Sequence, residues 1–236
     1  MELQFLGAAE TVTGSKYLLN HRGQTILVDC GLYQGGRELN EENAEEFGFD
    51  PAGIDFLLLT HAHLDHCGRI PLLSKRGFRG EIISTAATRE LARLVMLDSA
   101  HLQEEEARYQ SRKKARHGHA NHSGTPLYSV LDALNSTEHF GRSASYGQPL
   151  EIAPSIRATF VEAGHILGSA CIHLELEEQG QRRSLLFSGD LGNVERPFLR
   201  SPATPPKADV VVMETTYGDR LHKALTPSVD ELYEAI

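Results

Sequence analysis

Thr60-His61-Ala62-His63-Leu64-Asp65-His66-Cys67-Gly68 is the stretch on which the fold and the chemistry of this chain turn. It follows Phe56-Leu57-Leu58-Leu59, apolar at successive positions as expected of a strand buried on both faces inside a helix-covered sheet. A core histidine usually occurs singly, with its ring hydrogen-bonded. Three histidines and an aspartate within six residues, at a strand's C-terminal end, call for another explanation, because such loops are favoured functional positions. His61 and His63 can converge on one ion, while Asp65 and His66, at the turn into the next element, address a second. Imidazole suits zinc, and a carboxylate serves zinc or iron.

Two ions need more ligands than one loop supplies, so the rest belong at other strand ends. Gly164-His165-Ile166-Leu167-Gly168-Ser169 lies between two strands, and Ser188-Gly189-Asp190-Leu191-Gly192 follows the apolar run Leu185 to Phe187. Further strands are predicted at Leu3 to Leu6, Lys16 to Asn20, Thr25 to Asp29, Asp55 to Thr60 and Glu81 to Ser84. Ile156, Ala158 and Phe160, and then Ile172, Leu174 and Leu176, alternate with polar neighbours; Val210 to Met213 reads as an interior strand. A helix is expected from Thr88 with Leu91, Leu94, Val95 and Leu102 as its apolar stripe, fading after Leu102 into a basic stretch and a polar loop, His117 to Thr125. A second helix is expected over Leu127 to Phe140, and a last one beginning at Ser228 as N-cap. Interior strands with intervening helices mean a layered α/β fold.

Composition bounds the function. The 236 residues are 40% hydrophobic, which excludes a disordered chain. No apolar run is long enough to span a bilayer, no secretory signal is read in Met1 to Leu6, and Cys30, Cys67 and Cys171 make no disulfide framework; a cytoplasmic, reduced setting follows as the expectation. The net charge of -9 argues against coating nucleic acid through general basicity but leaves room for a nucleic-acid enzyme, since bound cations bring their own charge. The clusters Lys75, Arg76, Arg79 and Arg108, Arg112, Lys113, Lys114, Arg116 read as solvated surface.

His61-Ala-His63-Leu-Asp65-His66, with Asp29 upstream and His165 and Asp190 downstream, resembles the metallo-β-lactamase superfamily over essentially the whole chain. Gly7 to Ser15, Gly164-His-Ile-Leu-Gly-Ser169 and Met213-Glu214-Thr-Thr-Tyr-Gly-Asp219 narrow the resemblance to the β-CASP branch of RNA-processing nucleases. The resemblance implies an αββα sandwich that is incomplete here: residues 1–220 the N-terminal part of the hydrolase domain, 221–236 the start of a cap insertion, the C-terminal return absent. It implies two zinc ions, one on His61, His63 and His165, the other on Asp65 and His66, with Asp190 bridging and Asp29 orienting the ligands from behind. Asp65 and Glu214, the latter matching an acidic motif, are the implied catalytic residues, and a proton donor to the leaving oxygen is implied beyond residue 236. Two ions about 3.5–4 Å apart would activate a water and stabilise charge developing at phosphorus. The implied partner is single-stranded RNA, with no membrane and with a homodimer for the full-length protein.

The ligands alone do not exclude a small-molecule hydrolase of thioesterase or lactonase type, because the fold hosts many chemistries, nor a non-catalytic RNA-binding subunit. The Glu214 phrase favours RNA. His117, His119 and His122 lack a neighbouring carboxylate or cysteine and read as a polar loop, the three cysteines as small buried side chains, and Val12 to Ser15 equally as hairpin turn or site lining.

Overall fold

The computed structural model describes residues 1–36, 41–116, 125–194, 196–221 and 225–236. Strands β1 (Glu2–Gly7), β2 (Lys16–His21), β3 (Gln24–Val28), β4 (Phe56–Leu58), β5 (Glu81–Thr85) and β6 (Phe140–Ala144) form one sheet in sequential order. Its first three strands pair antiparallel and β3 to β6 run parallel. Strands β7 (Leu150–Ala153), β8 (Ile156–Glu162), β9 (Ala170–Glu178), β10 (Gln181–Phe187) and β11 (Val210–Val212) form the second sheet, a meander closed by the parallel pair β10 and β11. Leu19, Ile26, Leu58 and Ile83 of the first sheet meet Phe160, Ile172, Leu174 and Phe187 of the second in a dry core. The opposite face of the first sheet, including Leu27, Leu57 and Ile82, packs on helices.

Those helices are α1 (Leu64–Cys67), α2 (Ile70–Lys75), α3 (Ala86–Arg116) and α4 (Val130–Ser136); α5 (Leu225–Ala235) ends the chain. Ser129 caps α4 in a reciprocal box with Asp132, and Lys75 reaches Asp132 at 3.1 Å, tying α2 to α4. Arg76 donates to the carbonyls of Ala44 and Glu45, and Arg79 to those of Ser74 and Phe78, so this basic group has structural partners as well as solvent. Among the described residues no helix is long and apolar enough to cross a membrane. All three cysteines are buried and free, as their sequence setting suggests.

Several elements differ from expectation. Helix α3 runs through the basic stretch, because Gln103 to Arg112 is made largely of strong helix formers and is laced by Glu104–Arg108 at 3.2 Å and Glu106–Gln110 at 2.6 Å. Its buried face is Ala92, Met96 and Ala100; Leu94 and Leu102 are 64% and 57% exposed. Small residues let the helix approach the sheet closely, so the large leucines do not mark the core side. The Leu127–Phe140 helix shrinks to α4 plus a turn of 3₁₀ helix at Thr137–His139, and Phe140 begins β6. β11 is an edge strand: Val210 and Val211 are exposed, since among the described residues only β10 pairs with it. α5 starts at Leu225, which puts Pro227 in its first turn, where proline removes no helical hydrogen bond, and Ser228 inside the helix. His117, His119 and His122 lie outside the described residues.

Candidate metal centre

The C-terminal ends of β3, β4, β8, β10 and β11 emerge at one edge of the sandwich, and each delivers one part of the site. Past β3 comes Asp29, in the left-handed region at φ 58° and only 1% exposed. Past β4 come Thr60 and the histidine loop, past β8 comes His165, past β10 comes Asp190 and past β11 comes Glu214. The Ala170 amide donates to the Thr60 carbonyl at 3.0 Å, joining the two sheets at this point. Gly31 is required by close approach: a Cβ there would run into the Asp65 carbonyl.

Asp29 organises the donors. Its Oδ1 accepts from the Thr60 amide at 2.8 Å and the Thr60 hydroxyl at 3.0 Å, and its Oδ2 accepts from His66 Nδ1 at 2.7 Å. His66 therefore carries its proton on Nδ1 and turns Nε2 toward Asp190 Oδ1, 3.1 Å away, with Asp65 Oδ2 at 3.8 Å. The Thr60 hydroxyl spends its one proton on Asp29 and accepts from His61 Nδ1 at 3.0 Å, which leaves the His61 Nε2 lone pair facing inward. Thr60 is the residue the sequence reading missed; its only signal is a hydroxyl directly before the first ligand histidine.

His61, His63, His165 and Asp190 converge, their ligand atoms within 4.8 Å of one another. His63 Nδ1 lies 3.1 Å from His61 Nε2 and 3.1 Å from His165 Nε2, while Asp190 Oδ2 lies 3.6 Å from His61 Nε2 and 3.4 Å from His165 Nε2. Ligands about 2.0–2.1 Å from a tetrahedral zinc are separated by about 3.3–3.4 Å, and these four spacings fall on either side of that value. The donor set fits zinc. Asp65, His66 and the other Asp190 oxygen form a second, smaller donor group, so Asp190 faces both.

The electrostatics follow from burial and charge. Burial holds His61 well below the usual imidazole range, and the neighbouring rings of His66, His63 and His165 push the same way. Burial also lowers His165, against the pull of Asp190. Burial opposes charge on His66 too, but Asp29 and the hydrogen bonds to Asp190 and Asp29 outweigh it and raise its pKa to about 10. Asp190 is raised by burial and lowered more by His66 and the other histidines, for a net shift downward. Glu214 Oε1 accepts from the Leu191 amide at 2.7 Å. A cleft of about 340 Å³ lies over the second donor group, lined by Tyr17, His66, Asp190 and Glu214, with Val12 and Ser15 also on its wall.

The profile of the metallo-beta-lactamase superfamily matches residues 11–233, and the chain belongs to that superfamily, whose members bind metal ions. Ribonuclease TTHA0252 of Thermus thermophilus is 38% identical over 236 residues, covering 100% of this chain and 48% of the relative. The transcription termination factor FttA of Methanothermobacter thermautotrophicus is 33% identical over 232 residues, covering 96% of this chain and 33% of the relative. The chain thus spans about half the length of the first and a third of the second. A solved metallo-β-lactamase of Cronobacter sakazakii with a HARLDQ motif is 21% identical, covers 83% of this chain and 58% of its own, and superposes with a TM-score of 0.47.

Proposed function

We propose that this chain is the N-terminal part of a zinc-dependent, β-CASP-type RNA-processing nuclease that hydrolyses phosphodiester bonds of single-stranded RNA. Residues 1–220 belong to the hydrolase domain and 221–236 open the cap insertion, in keeping with relatives two to three times longer than this chain. The observation that carries the reading is the Asp190 carboxylate, one oxygen toward His61 and His165 and the other toward His66, in a chain 38% identical to a protein named a ribonuclease. That is a layout for two ions sharing one ligand.

His61, His63 and His165 with Asp190 would hold the first zinc, and Asp65 and His66 with Asp190 would hold the second. Bound there, the pair supplies Lewis-acid charge and lowers the pKa of water toward about 7. Asp65 orients the attacking water and takes its proton. Asp29 holds a proton on His66 Nδ1 and Thr60 holds one on His61 Nδ1, so Nε2 is the nitrogen each ring turns toward the metal. The cleft between Tyr17 and Glu214 receives the phosphodiester, and its negative charge is met by the metal centre rather than by the acidic chain.

The test assays the full-length protein and the 236-residue chain side by side on single-stranded RNA and on a thioester and lactone panel, with zinc, with a chelator, and with Asp65→Ala. Zinc-dependent RNA cleavage lost in Asp65→Ala, and weaker by orders of magnitude in the short chain, is expected. Zinc-dependent thioester or lactone turnover with no RNA cleavage at either length would replace the nuclease with a small-molecule hydrolase.

A further inference from the structure

Asp190 has a demanding task for a residue on a loop. Its Oδ1 must meet His66 Nε2 while its Oδ2 meets His61 and His165, so a small rotation of the loop after β10 disengages one group or the other. Three sets of contacts fix that loop, one of them the bond from the Gly192 amide to the Ala163 carbonyl at 2.9 Å. On one side Gly189, at φ 54°, lies against Thr60, where a Cβ would collide with the threonine side chain. On the other, the loop is laced to the end of β11. The Ser188 amide donates to the Val212 carbonyl at 2.9 Å, the Glu214 amide donates to Ser188 Oγ at 3.1 Å, and the Leu191 amide donates to Glu214 Oε1 at 2.7 Å. The last bond falls on the residue directly after Asp190.

We propose that Glu214 is a positioning residue: its carboxylate clamps the Leu191 amide and so sets the orientation of Asp190 between the two donor groups. This rests on the metal-centre reading of Asp190, and it differs from the catalytic role that the sequence resemblance implies for Glu214. Among the described residues β11 pairs with β10 alone, so the bonds from the Glu214 amide to Ser188 and from the Leu191 amide to Glu214 tie the end of β11 to the loop on both sides of Asp190. A carboxylate accepting from a backbone amide is about twice as strong as a neutral pair, which suits a contact half open to solvent. An amide oxygen in the same place still accepts the hydrogen bond. A methyl group does not.

Glu214→Gln and Glu214→Ala therefore separate positioning from acid, base or charge roles. The experiment measures zinc affinity by competition with a chromophoric chelator, and hydrogen exchange of the Leu191 amide without metal, in the parent chain and both variants, with thermal melts to confirm folding. Glu214→Ala is expected to lose about 10–100-fold in zinc affinity, the range for removing a partner that orients a ligand, and to lose Leu191 protection. Glu214→Gln is expected to stay within about threefold of the parent, a partly exposed charge contributing little, and to keep the protection. Unchanged affinity and protection in Glu214→Ala overturns the proposal, as does a Glu214→Gln variant as impaired as Glu214→Ala, which would assign the effect to charge. Should the parent bind no zinc, the metal-centre reading fails on that result, and Leu191 exchange still decides whether Glu214 holds the loop.

Discussion

Replacing Asp29 by asparagine exchanges one carboxylate oxygen for an NH₂ group and should disable the second metal site through a proton. The left-handed backbone at φ 58° suits asparagine as well as aspartate, so no strain is added. Oδ1 accepts from the fixed Thr60 amide at 2.8 Å, so the new NH₂ cannot sit there and must take the Oδ2 position, opposite His66 Nδ1 at 2.7 Å. Two donors then face each other. The imidazole resolves the clash by giving up its Nδ1 proton, so that Nδ1 accepts from the amide, and Nε2, 3.1 Å from Asp190 Oδ1, keeps its proton and no longer offers a lone pair to zinc. Loss of partners of this kind costs about 10–100-fold in metal affinity. Stability falls by only about 1–2 kcal/mol, because charge-assisted bonds become neutral ones without leaving donors orphaned. Asp29→Ala, which strands the Thr60 amide and His66 Nδ1 in a buried site, should instead cost about 3–5 kcal/mol. Zinc competition titrations and ¹⁵N shifts of the His66 ring read both effects. An Asp29→Asn protein with parental zinc affinity, or with His66 still protonated on Nδ1, would refute the reasoning.

Other perturbations probe independent parts of the structure. Lys16 is 2% exposed, and burial lowers its pKa from 10.5 to about 8. Both folded and unfolded chains carry the proton at pH 7, so the buried charge is a full penalty there and fades as pH rises from about 8 to 10.5. Lys16→Met should be more stable than the parent by about 3 kcal/mol at pH 7, with the difference vanishing near pH 10.5 in denaturant titrations; a pH-independent difference would count against it. In the metal-free site His66 keeps its proton up to about pH 10, whereas burial holds His61 and His165 toward the neutral form. Zinc affinity at the Asp65/His66 group should therefore rise about tenfold per pH unit between pH 7 and 9 with release of a proton, and that at the three-histidine group should change little, as calorimetry in buffers of different ionisation heat would show. Met96→Ala should cost about 2–5 kcal/mol and Leu102→Ser under about 0.5 kcal/mol in chemical denaturation, the reverse of the order that side-chain size alone suggests.

The grouping of the candidate residues was legible because chemistry concentrates there: His61, His63, Asp65 and His66 at one strand end, His165 and Asp190 at two others, come together in the structure. Interior strands such as β4 were legible from continuous apolar runs. The same rule misled at β11, whose valines form a similar run but sit at a sheet edge, because sequence records apolar character and not the neighbour that covers it. Helix α3 misled differently. Ala92 and Ala100 face the sheet while Leu94 and Leu102 face outward, so close packing of small residues outweighed the pull of large ones. β6 and β7 went unread: in β6 only Phe140 and Ala144 of five residues are buried, which gives no alternation to detect. Thr60 and the Leu191 contact of Glu214 depend on chain segments far apart in sequence, and no local pattern encodes them.

That two ions share Asp190 is tested most directly by anomalous scattering at the zinc edge from crystals equilibrated at graded zinc concentrations. The expected maps hold two peaks, the first among His61, His63 and His165 and filling at the lower concentration, the second beside Asp65 and His66, with one Asp190 oxygen directed to each. A single peak at saturating zinc, or a peak that Asp190 does not touch, would contradict it.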